Sequence, residues 1–150
     1  MQHYMRLALE EAAAAFQKEE VPIGAVVVKG GEVIARAHNL KESKKDATAH
    51  AEMLAIQEAC RKLGTWRLDG SEIYVTIEPC PMCAGAMVQS RIQRLVFGAM
   101  EPKFGAAGSI FNILYHPQLN HQVEIIQGVL EEECSQIMKD FFKGIRSKKE

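Results

Sequence analysis

Short apolar runs alternate with longer amphipathic segments along this sequence, and this alternation limits the possible folds more than any other feature. Residues 23–28 form a continuous apolar run, which is typical of a strand buried on both faces. The Gly30-Gly31 pair that follows predicts a hairpin turn, with residues 33–37 as the returning strand. Three further strands are predicted over residues 73–77, 95–97 and 123–126, and Gly98 is expected to end the second of these.

Four helices are predicted around these strands. The first has an apolar face at helical spacing, formed by Met5, Leu9, Ala12, Ala13 and Phe16. The second covers residues 48–63 and ends at Gly64, and the third covers residues 80–91. The last has an apolar face formed by Leu130, Cys134, Ile137, Met138, Phe141, Phe142 and Ile145. Residues 39–46 and 101–108 are interpreted as loops.

Strands that alternate with helices favour one α/β domain over residues 1–150, with helices on both faces of a central sheet. Of the 150 residues, 47% are hydrophobic and 25% are charged, which excludes a disordered chain, a collagen and a coiled coil. No uncharged apolar run approaches the roughly 18 residues of a membrane span. Residues 1–4 lack the features of a secretory signal. We therefore expect a cytoplasmic protein with no membrane partner.

The net charge of −1 excludes a broadly basic protein that grips a long track of phosphates. The charge is unevenly spread, because residues 139–150 contain five basic and two acidic side chains. This distribution permits a short nucleic-acid loop to bind near the carboxyl-terminal segment.

Two short motifs carry candidate ligands for a metal ion. His50-Ala51-Glu52 supplies an imidazole, and Pro79-Cys80-Pro81-Met82-Cys83 supplies two thiolates. Both motifs lie in the first turn of a predicted helix, so we expect two helix N-termini to meet at one end of the sheet. Three protein ligands leave one tetrahedral position for water, which is the pattern of a catalytic zinc site. Glu52 lies about 200° around an ideal helix from His50, so it is predicted to reach that water and not the metal.

Two other interpretations of the cysteines remain open at this point. Cys80 and Cys83 have the spacing of a redox pair, and they also have the spacing of half a structural zinc site. A structural site needs a fourth ligand, for which Cys60 and Cys134 are the candidates. Both lie at apolar helix positions and are predicted to be core cysteines.

The His-x-Glu and Pro-Cys-x-x-Cys pair resembles the signature of the zinc-dependent nucleobase deaminases. A longer series of segments resembles the bacterial tRNA-specific adenosine deaminases within that superfamily. These segments are Val21-Pro22-Ile23-Gly24-Ala25, Ala37-His38-Asn39, Thr48-Ala49-His50-Ala51-Glu52, Tyr74-Val75-Thr76, Glu78-Pro79-Cys80, Phe97-Gly98-Ala99, Gly105-Ala106-Ala107-Gly108-Ser109, Asn120-His121 and Phe141-Phe142. The resemblance spans nearly the whole chain.

The resemblance implies a cytidine-deaminase-like three-layer α/β/α sandwich with a mixed five-stranded sheet. It also implies a homodimer that hydrolyses adenosine to inosine at the wobble position of a tRNA anticodon loop, typically of an arginine tRNA. By position, His50, Cys80 and Cys83 would hold one Zn²⁺ per chain, and Glu52 would move protons between the zinc-activated water and the leaving nitrogen.

The resemblance further implies a set of RNA contacts. Asn39 matches the residue that contacts the flipped base, and the positions near the anticodon loop are Glu101, Lys103, Asn120, Phe142 and Arg146. Three of them have a simpler interpretation from the sequence alone. Asn39 is also a suitable turn cap, Phe142 lies on the apolar face of the last helix, and Lys103 is also a solvated surface charge. Relatives commonly carry aspartate where this chain has Glu101.

Three classes of function are compatible with the motifs. The first is the tRNA deaminase, and the second is a deaminase of a free base or nucleoside, such as guanine or cytosine, which shares the zinc signature. The third is a non-catalytic zinc or RNA-binding module, in which Glu52 would have no purpose. The basic carboxyl-terminal helix favours a macromolecular substrate.

Overall fold

The computed structural model describes residues 1–149, and the side chains of residues 1–145. The five helices and five strands follow the predicted alternation, with one added short helix. They are α1 (Gln2–Gln17), β1 (Gly24–Lys29), β2 (Glu32–His38), α2 (Lys41–Lys44), α3 (Ala51–Leu63), β3 (Ser71–Ile77), α4 (Pro81–Gln89), β4 (Arg94–Ala99), β5 (Glu124–Ile126) and α5 (Glu131–Lys149).

The five strands form one mixed sheet in the order β2-β1-β3-β4-β5. Strand β1 pairs antiparallel with β2 and with β3, whereas β3, β4 and β5 run parallel. Because β2, β3 and β4 run in the same direction, they end at the same edge of the sheet.

The hairpin turn between β1 and β2 lies where it was predicted. Gly30 and Gly31 adopt φ values of 58° and 77°, which a two-residue turn of this kind requires.

Both faces of the sheet are covered, which confirms the three-layer α/β/α sandwich. Successive β1 residues alternate between two cores, with Val27 in the core beneath α3 and α4, and Val26 in the core beneath α1 and α5. This double burial explains why β1 is apolar at consecutive positions. Among the described residues, no helix is both long and apolar enough to cross a bilayer.

Three details differ from the sequence predictions. The polar segment 39–46 contains the helix α2, which is too short to show an apolar period. On α1 the buried residues include Ala8 and Ala15, while Ala13 is exposed. Gly98 lies within β4 and does not end it. A Cβ atom at Gly98 would lie 2.3 Å from the sulfur of Cys134, so the glycine allows α5 to pack closely on the strand.

Candidate metal centre and substrate cavity

The side chains of His50, Cys80 and Cys83 meet at the edge of the sheet where β2, β3 and β4 end. Their ligand atoms all lie within 4.8 Å of one another. The Nδ1 atom of His50 is 3.6 Å from the sulfur of Cys80 and 3.6 Å from the sulfur of Cys83. Tetrahedral zinc with ordinary Zn–N and Zn–S bonds separates nitrogen and sulfur ligands by about 3.6 Å. The donor set and its spacing therefore fit a zinc ion.

Two helix N-termini bring these ligands together. His50 immediately precedes α3 and Cys80 immediately precedes α4, and both have extended backbones. Both residues were predicted within the first turn, but α3 begins three residues later than predicted and α4 one residue later, so both lie just before their helices. Cys83 does lie in the first turn of α4. The positive ends of both helices point towards the cluster, which favours thiolates there.

Glu52 is buried beside the cluster, with 4% of its surface exposed. It lines a cavity of about 550 Å³ together with His50 and Cys80. The predicted angle of about 200° between Glu52 and His50 assumed that both residues are helical. Because the His50 backbone is extended, with ψ of 150°, the two side chains reach the same cavity.

The hydrogen bonds of the cluster separate the proton affinities of its members. The pKa of Cys80 falls to about 4, chiefly because the Cys83 thiol and then the His50 ring donate hydrogen bonds to its sulfur. The same hydrogen bonds raise the pKa of His50 and of Cys83. Burial raises the pKa of the Glu52 carboxyl to about 7. The cavity thus combines a thiolate with a carboxyl group whose proton is exchangeable near neutral pH.

Apart from Glu101, a predicted RNA contact, the remaining walls of the cavity come from residues that were not predicted as site residues. Apolar walls are formed by Ile23, Ile77, Met82 and Phe104. Lys41, Glu78 and Glu101 add charged groups at its edge. Lys41 and Phe104 lie in segments that the sequence predicted only as loops. The aromatic residue within the Pro- and Gly-containing segment 101–108 was the only sequence feature that could have pointed to a role of Phe104 in the cavity.

A second cavity of about 330 Å³ adjoins the first, since Glu101 and Ile77 line both. It lies between β4 and α5, and its walls include Lys139 and Phe142. Phe142 is 44% exposed, so the core position predicted by the apolar periodicity of α5 is wrong. Glu101 and Phe142, two of the predicted RNA contacts, therefore line the same cavity.

The other predicted RNA contacts are more dispersed. Asn39 lines neither cavity, and its amide donates to the carbonyl of Val21 while its oxygen accepts from the Lys41 N–H. Lys103 and Asn120 are exposed and also line neither cavity. The side chain of Arg146 lies outside the described residues.

Neither of the other cysteines joins the candidate ligands. The Cys60 thiol donates to the carbonyl of Trp66 beyond the far end of α3. Cys134 is buried on the opposite face of the sheet, in the core beneath α1 and α5. Within the described part of the chain, the cluster therefore has three protein ligands. This favours a catalytic site over a structural site with four protein ligands.

Residues 1–146 match the family model of the MafB19-like deaminases. The chain is 57% identical to the tRNA-specific adenosine deaminase of Bacillus subtilis, over 97% of this chain and 91% of that one. It is 52% identical to the tRNA-specific adenosine deaminase of Aquifex aeolicus, over 97% and 96% of the two chains.

Two solved structures show the same architecture. One comes from a study of A-to-I editing by tRNA:A34 deaminases at the wobble position; it has a TM-score of 0.88 and 46% identity over 91% of this chain and 99% of that one. The other is a guanine deaminase from Nitrosomonas europaea, with a TM-score of 0.80 and 25% identity over 93% and 83%. The zinc-compatible cluster, the adjoining carboxylate and these similarities agree, and the chain belongs to the tRNA-specific adenosine deaminase family.

Proposed function

We propose that this protein is a zinc-dependent hydrolase that converts adenosine to inosine at the wobble position of a tRNA anticodon loop. One observation carries the proposal. Three side chains that could hold a metal ion lie with Glu52 beside a cavity of about 550 Å³, in a chain that is 57% identical to a tRNA-specific adenosine deaminase. That volume suits a single base with its ribose.

His50, Cys80 and Cys83 would hold one zinc ion per chain. When bound, zinc supplies the Lewis acidity that makes a water molecule nucleophilic near neutral pH. In the net reaction, the oxygen of water joins C6 of adenine and the amino nitrogen leaves as ammonia. Glu52 takes a proton from the water and delivers it to nitrogen, and its pKa of about 7 lets it serve as both base and acid.

The cavity between β4 and α5 supports an RNA substrate. An enzyme that acts on a base must hold it outside the stack, and unpaired loops are where bases splay out most readily. The 330 Å³ cavity offers an aromatic face at Phe142 and a positive charge at Lys139 beside the first cavity. Lys103, Asn120, Asn39 and Arg146 remain proposed contacts, and an arginine tRNA remains the proposed substrate.

We also propose that the chain works as a single cytoplasmic deaminase domain within a homodimer. Four large apolar side chains between residues 110 and 119 are exposed, and such surfaces are typical of interfaces. They are Ile110, Phe111, Tyr115 and Leu119. The apolar segment 84–88, a weaker candidate from the sequence, contributes Ala84, Met87 and Val88 to the core of this chain.

The decisive experiment incubates the zinc-loaded protein with an anticodon stem-loop that carries adenosine at the wobble position. Free adenosine, guanine and cytosine are assayed in parallel. We expect inosine in the stem-loop and little product from the free compounds. Deamination of guanine without inosine in the stem-loop would instead favour the activity of the Nitrosomonas neighbour. A zinc content far below one per chain would argue against every zinc-dependent mechanism.

A further inference from the structure

Glu78 is a buried carboxylate that the proposed chemistry does not use. It follows β3, two residues before Cys80, and only 2% of its surface is exposed. Its two oxygens accept four hydrogen bonds, all from residues 101–109, here called the cavity loop. The donors are the N–H groups of Glu101 at 3.0 Å, Ala107 at 2.9 Å and Ser109 at 3.0 Å, and the Ser109 hydroxyl at 2.5 Å.

The cavity loop is shaped around this carboxylate. A Cβ atom at Gly105 would lie 2.3 Å from the carboxyl carbon of Glu78, so only glycine allows the loop to approach so closely. A further hydrogen bond joins the Ala106 N–H to the carbonyl of Pro79 at 2.9 Å. The loop is thus attached to the two residues that lead directly into the Cys80 ligand.

The same loop carries part of the substrate-facing wall. Glu101 and Phe104 both line the 550 Å³ cavity. Phe104 is 65% exposed, so packing of its own ring does little to fix its position. The backbone of the loop must therefore place the ring, and Glu78 accepts hydrogen bonds from three N–H groups of that backbone.

We propose that Glu78 is a positioning residue, which holds the cavity loop beside the metal ligands and thereby sets how tightly the target base is bound. This inference deepens and rests on the proposed function. Because both Glu78 oxygens already bond to the loop, the carboxylate acts through Glu101 and Phe104.

The test compares Glu78→Gln with Glu72→Gln, a matched change at the other end of the same strand. The NH₂ group of the glutamine would face N–H donors of the loop, so it could not accept their hydrogen bonds. In Glu78→Gln we expect KM for the stem-loop to rise about tenfold. A buried hydrogen-bonding group left without a partner weakens the loop's bound position by a free energy that corresponds to a factor of this size. We expect kcat to change less than about threefold and zinc to stay bound, since the ligands are untouched. Glu72→Gln should change none of these values.

Hydrogen exchange supplies a readout that does not depend on activity. The amides of Ala107 and Ser109 should exchange at least about tenfold faster in zinc-loaded Glu78→Gln, as expected when local opening becomes easier. Unchanged exchange and unchanged KM would overturn the inference. Loss of zinc, or a fall in kcat without a rise in KM, would also overturn it, because the effect would then lie on the ligands.

Gly105→Ala tests the same contact from the loop side and changes no polar group. It should raise KM as Glu78→Gln does, and the double variant should be no worse than the more affected single variant. Multiplied effects in the double variant would show that the two residues act independently and contradict the inference. If Glu78→Gln does not fold, Gly105→Ala and its exchange rates decide the question.

The two proposals can fail separately. If the wild-type protein forms no inosine in the stem-loop, the proposed function fails. The exchange rates of Ala107 and Ser109 still report whether Glu78 holds the loop. If the wild-type protein is active and the variants match it in KM and exchange, only the positioning role fails.

Discussion

Glu52 and Glu78 both line the cavity of about 550 Å³ and are both almost fully shielded from solvent, yet their pKa values shift in opposite directions. Glu52 lies beside a thiolate with few donors, and burial raises its pKa to about 7. Burial also opposes ionisation of Glu78, but hydrogen bonds from Ser109, Glu101 and Ala107 outweigh it and lower its pKa. The difference shows that hydrogen-bond donors, and not burial alone, decide whether the pKa of a buried carboxylate rises or falls.

The largest expected effect is the loss of activity in Glu52→Gln. A glutamine keeps the shape of the side chain but cannot accept the proton, so we expect kcat to fall by about 10³-fold or more. Zinc content and the urea midpoint should stay near the wild-type values. Glu58→Gln, on the same helix, should remain fully active. Substantial inosine formation by Glu52→Gln would remove the distinction between the two carboxylates.

Unlike Glu52→Gln, the Glu78→Gln variant should be less stable than the wild type. Buried N–H groups of the cavity loop would lose their acceptor, and we expect the free energy of unfolding to fall by about 2 kcal/mol. Urea denaturation of the zinc-loaded protein measures this change. A loss no greater than that of Glu52→Gln would show that the donors around Glu78 contribute little.

Ser109→Ala removes one of the four donors to Glu78 and leaves the backbone in place. The expected loss is about 1 kcal/mol in the free energy of unfolding. Ser71→Ala is the matched control, because within the described part of the chain the buried Ser71 hydroxyl has no hydrogen-bond partner. That control should not destabilise the protein. Equal losses in the two variants would contradict the assigned role of the Ser109 hydroxyl.

Glu20 extends the comparison to a third buried carboxylate, away from the cavity. Burial opposes its ionisation, but the Ser43 hydroxyl and the N–H groups of Glu42 and Ser43 lower its pKa below the ordinary 4.5. A lowered pKa stabilises the folded state above pH 4.5, and this contribution disappears as the pH falls through the folded-state pKa.

The Glu20→Gln variant should therefore be less stable than the wild type near neutral pH, by about 1 kcal/mol. The difference should shrink as the pH is lowered below 4.5. Urea midpoints of both proteins between pH 7 and pH 3 give the comparison, with about 4.3 as the usual unfolded-state pKa of glutamate. A difference that grows in acid would show that the pKa shift has the opposite sign.

Local patterns predicted most of the fold. The apolar run of β1 and the Gly30-Gly31 turn act over a few residues, so they predicted a hairpin that the structure confirms. Helix α2 was not predicted, because its four residues are polar and show no apolar period. Contacts distant in sequence stabilise it, including the hydrogen bonds from the N–H groups of Glu42 and Ser43 to Glu20. The prediction that Gly98 ends β4 was wrong for a similar reason. The glycine makes room for Cys134, which lies 36 positions later in the chain.

The candidate site divides in the same way. The spacing of His50, Cys80 and Cys83 predicted a set of metal ligands, because only a few chemistries use that combination of residues. The position of Glu52 in the same cavity depended on the extended backbone of His50, which ideal helix geometry does not include. Phe104 and Lys41 could not be assigned to the cavity, because loops show no periodicity from which their direction follows.

By itself, the sequence determined the order of the strands and of the four longer helices, the donor atoms for a metal and a carboxylate beside them. Those features depend on residue type and on short spacings. Only the tertiary structure decided that the pKa of Glu52 is raised to about 7 while the pKa of Glu78 is lowered. The physical reason is that the donors to Glu78 come from residues 101–109, more than 20 positions along the chain. No local sequence pattern predicts that these donors lie beside Glu78.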